Sequence, residues 1–323
     1  MPSISVALLN WNGAHLLPTC LDSLRSQTFR DFDIIMSDNG SSDGSLELIA
    51  RHYPEVQVIR FPRNIGFCLA VNAGIRASRG EFIFTLNNDT KLDPRCLEEL
   101  VRAMRSDPGI GICAPKMLYY DDPALINSAG HACAEDMVVV DIGRGDPDGE
   151  WFDRSREVLG ACAGAALYRK AMLDHIGLFD PDFFISYEDI DLGWRAQWAG
   201  WRARYVPAAV VLHREGVTRQ IRGRRSLFLA ARNIVHVWTK NWPLRLLLKH
   251  LPAASRGWRR RVRLVVDCGQ PDLVPALMWS LLAQTPRMLV RRCQIRRTRA
   301  VPSARLEELI ALGRRHTRQP PED

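Results

Sequence analysis

The run Ser3-Ile4-Ser5-Val6-Ala7-Leu8-Leu9-Asn10-Trp11-Asn12-Gly13 alternates, turns apolar, then breaks into a polar turn. This predicts a β-strand ending in a loop rich in hydrogen-bonding groups. The figure recurs three times. Phe32–Ser37 reads as a second strand closing on Asp38-Asn39-Gly40-Ser41-Ser42-Asp43-Gly44, and Val56–Phe61 as a third, followed by a loop holding Arg63 and Asn64. Glu81–Leu86 reads as a fourth, closing on Asn87-Asn88-Asp89-Thr90. Apolar spacing predicts helices between them, over His15–Ser26, Ser45–His52, Gly66–Ala77 and Pro94–Ser106. Ser42 or Asp43 is placed to cap the second. Strands alternating with helices predict an α/β fold, an open and mostly parallel sheet joined by right-handed crossovers. Ligands bind such sheets beyond the carboxyl ends of the strands. All four polar clusters fall there.

The chain has 323 residues, 46% of them hydrophobic, enough for a full core. Its eight cysteines are scattered, with no C-x-x-C, which argues against a disulfide framework and a structural zinc site and suits a reducing, cytoplasmic setting. The first ten residues lack a basic n-region and read as a strand, not a signal peptide. The longest apolar stretch, Leu273–Val290, contains two prolines, a glutamine and an arginine, so a spanning helix is not expected. The net charge of +8 is unevenly placed: residues 1–212 hold 20 Lys/Arg against 29 Asp/Glu, and residues 213–323 hold 24 against 7. Such asymmetry points to a basic segment that meets an anionic surface.

No G-x-G-x-x-G follows the first strand and no P-loop occurs anywhere, so a nucleotide on this rim would have its diphosphate held by a metal ion instead. Gly109–Ala114, Leu159–Tyr168, Arg202–Val206 and Ala209–His213 read as further strands, and Lys116–Arg156 as a long variable loop with the character of a lid. Phe179–Arg195 sets three carboxylates, Glu188, Asp189 and Asp191, behind a run of aromatic residues, and Asp191 and Arg195 are spaced to pair on one helix face. Trp194, Trp198 and Trp201 form a helical stripe that reads as core. Gly164, among small residues, suits either substrate approach or tight packing. From Gln220 onward the chain is Arg-rich, and Leu244–Leu251, Arg256–Leu264 and Leu273–Val290 have the mixture of apolar residues and arginine found in helices that lie on a membrane. Thr317–Asp323 reads as disordered.

Six segments in order carry a family resemblance: Val6–Gly13, Ser26-Gln27-Thr28, Asp38–Gly44, Asn64-Ile65-Gly66-Phe67, Leu86–Thr90 and Tyr187-Glu188-Asp189-Ile190-Asp191-Leu192. Over residues 3–240 the chain resembles the family 2 glycosyltransferases of GT-A fold, with their Rossmann-like sheet, and most of all the rhamnosyltransferase-like branch of bacterial surface-polysaccharide synthesis. The resemblance implies an inverting transferase that uses a nucleotide-diphospho-sugar and Mg²⁺ or Mn²⁺. It implies that Asp38 contacts the nucleobase and that Asn10, Asn12, Asn64 and Asn88 stand beside the nucleotide. Asp89 matches the final aspartate of the metal-binding D-x-D, and His213 the histidine that completes the metal site in several members. Asp189 matches the catalytic base, with Glu188 beside it. The chain departs from the pattern in Asn87-Asn88-Asp89, which brings one carboxylate where D-x-D brings two.

An inverting transfer needs a base near the acceptor hydroxyl, and an aromatic wall of Phe183, Phe184 and Tyr187 would raise the pKa of Asp189 toward a useful value. Residues 1–240 are expected to form the transferase domain. Residues 241–323 are expected to form a basic amphipathic helical extension on the cytoplasmic face of the inner membrane, near a lipid-linked or oligosaccharide acceptor. The basic face would otherwise be a solvated surface or the contact of a homodimer; a nucleic-acid partner is not expected. A sugar nucleotidyltransferase and a non-catalytic membrane scaffold that binds nucleotide sugars are the competing readings. The first would need a charged glycine-rich loop after strand 1, which Asn10-Trp11-Asn12-Gly13-Ala14 is not.

Overall fold

The computed structural model describes residues 1–214 and 223–316; the polar end, 317–323, and the first residues of the Arg-rich stretch, 220–222, lie outside the described residues. The strands are Ile4–Asn10 (β1), Phe32–Asp38 (β2), Val56–Arg60 (β3), Phe82–Asn87 (β4), Thr90–Leu92 (β5) and Ile110–Tyr119 (β6). They continue with Ile126–Ser128 (β7), His131–Cys133 (β8), Val139–Asp141 (β9), Arg156–Val158 (β10), Ala165–Arg169 (β11) and Arg202–His213 (β12). The main sheet runs β10-β12-β6-β11-β4-β1-β2-β3. It is parallel across β4-β1-β2-β3 and between β6 and β12, and β11 lies antiparallel between the two parallel blocks.

Successive strand residues point to opposite faces, and both faces are covered. Helices Leu17–Arg25 (α1), Ser45–His52 (α2) and Cys96–Arg105 (α4) pack Leu17, Leu21, Ile49 and Leu97 with Val6, Leu8, Phe82 and Phe84. On the other face Phe67–Ala77 (α3) packs Val71 and Ile75 with Ala7 and Ile83. That core continues through Lys170–Ile176 (α5) and Glu188–Trp198 (α6), where Trp194 and Trp198 are buried as the stripe predicted.

The middle of the chain differs from expectation. Residues 116–156 are not a variable lid. β6 runs on to Tyr119, β7 pairs with it, and β8 and β9 form a hairpin whose residues belong to the core, including Ala132, Cys133 and Val138. Three-residue strands are too short to show a period of two, so the pattern hid them. β11 begins only at Ala165, and of the strand expected over Leu159–Tyr168 the first six residues are irregular. The two strands expected between 202 and 213 are one, with a register shift against β6 between Val206 and Val210.

After residue 223 come four helices: Arg224–Asn241 (α7), Leu244–Asp267 (α8), Leu273–Arg297 (α9) and Ser303–His316 (α10). α7 was not read from the sequence. α8 joins the two segments expected separately, with Pro252 inside it. These helices press on the β8–β9 hairpin through glycines. A Cβ at Gly257 of α8 would come 2.6 Å from the Asp136 carbonyl oxygen, and one at Gly313 of α10 2.6 Å from the Cys133 nitrogen. Among the described residues no helix is long and apolar enough to cross a membrane. The outer faces of α8 and α9 nevertheless leave Leu244, Leu248, Leu251, Met278, Trp279, Leu282, Leu289 and Val290 exposed.

Candidate active site

The strand ends bring the predicted polar residues together. Asn10 donates from Nδ2 to Asp38 Oδ1 (3.0 Å) and accepts at Oδ1 from Asn88 Nδ2 (2.7 Å), linking β1, β2 and β4. The other Asp38 oxygen accepts from the Ser41 N–H (3.1 Å), so this buried carboxylate holds its own loop. Asn12 accepts from the Ser42 N–H (2.9 Å). Asn64 accepts from Asn39 Nδ2 (3.2 Å) and from the Gly66 N–H (2.9 Å), shaping the entry to α3. Asp43 accepts from the Ser45 N–H (3.1 Å) in a local turn, but the N-cap of α2 is Gly44 and no side chain caps the helix, so the capping expected of Ser42 or Asp43 is not found.

Asp89 and His213 are far apart in sequence, and strand register joins them. β5 pairs with β12 so that His213 stands opposite Thr90. Asp89 Oδ1 then lies 3.4 Å from His213 Nε2, and neither atom has a hydrogen-bond partner. His213 Nδ1 lies 2.9 Å from Asn127 Oδ1. An amide oxygen only accepts, so with Nδ1 as its donor a neutral His213 would turn the Nε2 lone pair toward a carboxylate oxygen. Two buried acceptors facing one another need a cation or a proton between them, and an oxygen and an imidazole nitrogen suit Mn²⁺. Asn127, the outer support of the histidine, was not singled out in the sequence. Among the described residues no cluster of three His, Cys, Asp or Glu could hold a metal, so these two side chains would be the protein's whole share.

A cavity of ≈ 510 Å³ opens beside this pair, and its wall includes His213, Asn87, Gly164, Glu188 and Asp189. Asp189 sits in the first turn of α6. Its Oδ2 accepts from the Ala163 N–H (3.1 Å) and its Oδ1 from the Ile190 N–H (2.8 Å). Close approach of Gly193 to Gly160 lets α6 lie near enough for this contact. Burial pushes the Asp189 carboxyl above the ordinary carboxylate range, and His131 and the Ala163 N–H pull it partway back. Burial, then the Asp189 charge, pushes Glu188 well above its ordinary value, which favours its neutral form. The expected aromatic wall is there only in part. Of Phe183, Phe184 and Tyr187 only Tyr187 lines the cavity; Phe183 packs against His236 and Lys240, and Phe184 beneath Arg225.

Two further groups escaped the sequence reading. His131 stands opposite Asp141 in the β8–β9 hairpin, with Nε2 3.5 Å from Asp141 Oδ1 and 3.9 Å from Asp189 Oδ2. Burial alone would keep this imidazole neutral, but Asp189 and Asp141 outweigh it and raise its pKa. Burial likewise opposes ionisation of Asp141; the His131 hydrogen bond and charge, with Arg144, overcome it and hold the pKa at about 2. The second group is Asn233 of α7. It bonds the loop before α6, where Phe184, Ser186 and Tyr187 have φ of 65°, 71° and 69°. Asn233 Nδ2 donates to the carbonyls of Phe183 (3.0 Å), Ile185 (3.0 Å) and Ser186 (2.7 Å). Asp191 pairs with Arg195 (2.9 Å) as expected, but the pair is buried and shared with Lys240 (2.9 Å). The Arg195 guanidinium also serves the carbonyls of Ile176, Gly177 and Leu178, so it braces the fold.

Residues 5–177 match the profile of Glycosyl transferase family 2. The chain belongs to this family. It is 28% identical over 306 residues to an N-acetylglucosaminyl-diphospho-decaprenol L-rhamnosyltransferase of Mycobacterium tuberculosis, covering 80% of this chain and 96% of the relative. It is also 32% identical over 115 residues to the putative glycosyltransferase EpsH of Bacillus subtilis, 35% of this chain and 33% of that one. Two solved structures share its fold. The mannosyltransferase PcManGT of Pyrobaculum calidifontis, in complex with GDP-Man and Mn²⁺, superposes with a TM-score of 0.55 at 15% identity over 92% of this chain and 86% of its own. GalNAc-T7 with UDP, GalNAc and Mn²⁺ gives 0.61 at 19% identity over 76% of this chain, which spans 49% of that longer protein. The chain is thus a rhamnosyltransferase-like family 2 glycosyltransferase of GT-A fold, a transferase using a nucleotide-sugar donor. The matched segment ends at residue 177, before Asp189, His213 and Asn233.

Proposed function

We infer that this transferase moves L-rhamnose, with inversion, from a nucleotide-diphospho-sugar to a hydroxyl of a lipid-linked or growing glycan acceptor. One observation carries the reading: His213, facing Asp89, and Asp189 open on one cavity, so leaving-group and acceptor chemistry meet there. The relative whose printed name specifies rhamnose and a diphospho-decaprenol acceptor, nearly its full length covered, supports the sugar and the acceptor class.

Asp189 takes the proton of the acceptor hydroxyl as that oxygen forms its bond to the anomeric carbon, and the bond from that carbon to the diphosphate breaks with its electron pair leaving on the diphosphate. The N–H bonds from Ala163 and Ile190 fix the direction of the Asp189 carboxylate. Glu188, neutral beside it, adds no second negative charge. The rim of Asn10, Asn12, Asp38, Asn64 and Asn88 frames the nucleotide. Mg²⁺ or Mn²⁺, held by Asp89 and His213, would supply neutralising charge for the leaving diphosphate. The exposed apolar and basic faces of α8 and α9 rest on the inner-membrane surface, and Arg261 and Leu264 on the inner side of α8 line the cavity toward the acceptor.

The test is transfer from dTDP-, UDP- and GDP-sugars to a polyprenyl-diphospho-sugar, with Asp189→Asn and Asp89→Ala alongside. Both variants should lose transfer, and Asp89→Ala should also lose the Mn²⁺-dependent thermal shift given by the nucleotide diphosphate. Intact transfer in both would overturn the mechanism, and pyrophosphate release from a nucleoside triphosphate and a sugar phosphate would favour a nucleotidyltransferase.

A further inference from the structure

A second cavity, of ≈ 260 Å³, lies between the end of α7 and the last turns of α9 and shares no lining residue with the Asp189 cavity. Lys240, Arg292, Arg296 and Arg299 stand in its wall. The lysine is already committed, to Asp180 (2.5 Å) and Asp191 (2.9 Å). None of the three arginines pairs with a carboxylate among the described residues. On the same helix Arg287 pairs with Asp182 (2.8 Å) and Arg291 reaches Asp180 (3.8 Å). By contrast Arg292 donates only to the Thr239 carbonyl (3.0 Å), and its Nη2 is buried with no partner. Arg299 donates to the Val301 carbonyl (2.8 Å) and Ser303 Oγ (3.1 Å), with its guanidinium 4.4 Å from the centre of the Trp198 ring. The Arg296 side chain has no hydrogen bond or ion pair among the described residues.

Three guanidinium groups without a carboxylate around so small a space repel one another, and a buried N–H of a charged group is costly to leave unpaired. A tetrahedral oxyanion answers both needs, since its oxygens accept from several forked donors at once. We propose that the cavity between α7 and α9 is a binding site for a phosphate group, held by Arg292, Arg296 and Arg299. Its neighbourhood favours a phospholipid headgroup as the source. Leu282, Leu289 and Arg296 follow one another at seven-residue steps along one line of α9. Leu282 is 69% exposed, Leu289 46% and the adjacent Trp279 71%. A phosphate bound at Arg296 would thus sit at the end of an apolar strip, as a headgroup does at the edge of an acyl layer. The site does not depend on the sugar-transfer reading.

The test compares the full chain with Arg296→Gln, whose side chain is exposed and unpartnered, and with Arg292→Gln/Arg296→Gln. Arg263→Gln, an exposed arginine outside the cavity, controls for net charge. One arm measures Tm against inorganic phosphate at ionic strength matched with chloride; the other measures sedimentation with phosphatidylglycerol–phosphatidylcholine vesicles. Phosphate should raise the Tm of the wild type and of Arg263→Gln, and not that of the double variant. Anionic vesicle binding should fall about fivefold per cavity arginine removed, and less in the control. A phosphate effect without vesicle selectivity would support the site and assign it to a soluble phosphate compound. Equal behaviour of cavity variants and control in both arms would overturn it.

Discussion

Replacing Asn233 by alanine tests how this fold holds its candidate base. The side chain is fully buried, and its two Nδ2 hydrogens serve three loop carbonyls. Its Oδ1 accepts from Arg232 Nε (2.9 Å). A buried polar group left without its partner costs about 1–3 kcal/mol. Two hydrogens make two bonds outright, so the loss begins near 2 kcal/mol and reaches about 4 kcal/mol with the stranded Arg232 donor included. The bonds restrain a strained loop: three non-glycine residues at positive φ each cost on the order of 1–3 kcal/mol. Without them the loop relaxes, and Asp189 lies two residues beyond Tyr187. A misplacement of about 1 Å costs on the order of 100-fold in rate. Urea unfolding should therefore show Asn233→Ala less stable by about 3 kcal/mol, single-turnover transfer should fall about 100-fold, and nucleotide affinity should not change. Asn233→Asp keeps the size but turns an acceptor toward three acceptors, so it must be at least as damaging. An Asn233→Asp protein that matched the wild type would refute the reasoning, as would equal losses of nucleotide affinity and transfer in either variant.

Three other outcomes follow from the same geometry. In His131→Asn the positive charge that pulls the Asp189 pKa down is gone, so that pKa rises; the base works deprotonated, and the acidic limb of the kcat/KM profile should move to higher pH, an unmoved limb counting against the contact. Asn127→Ala frees His213 Nδ1 and with it the tautomer, so calorimetry should show Mn²⁺ binding with nucleotide diphosphate weakened by about 10–100-fold. Gly313→Val drives side-chain atoms into the Cys133 backbone; circular dichroism melts should show a loss of about 1–3 kcal/mol, with transfer falling although residue 313 touches no part of the cavity.

The polar rim was legible because each polar cluster ends a strand with a clear period, and parallel strands present their carboxyl ends on one rim. Asp89 and His213 were named from the resemblance, but their meeting depends on the β5–β12 register, and three residues of β5 carry no signal of their partner. His131 reads as a lone histidine in an irregular stretch, because β8 and β9 are too short for alternation. Asn233 looks like any polar residue of a helix, and only the positive-φ loop it faces gives it a role. The aromatic wall was legible only in part: Tyr187 lines the cavity, while Phe183 and Phe184 pack elsewhere, which a run of neighbouring aromatic residues does not reveal.

The hairpin that carries His131 and Asp141 is backed by Gly257 and Gly313, residues made long after it. During synthesis the strands and helices of the first 105 residues can pair locally as they emerge, but the wall behind the base has nothing to rest on until α8 and α10 arrive. Contacts of such sequence separation form late, because loop closure comes before any reward for it. The polar strand-end rim and the side of the cavity that carries the candidate base are therefore completed at different times, and a chain interrupted between them would have the first without the second.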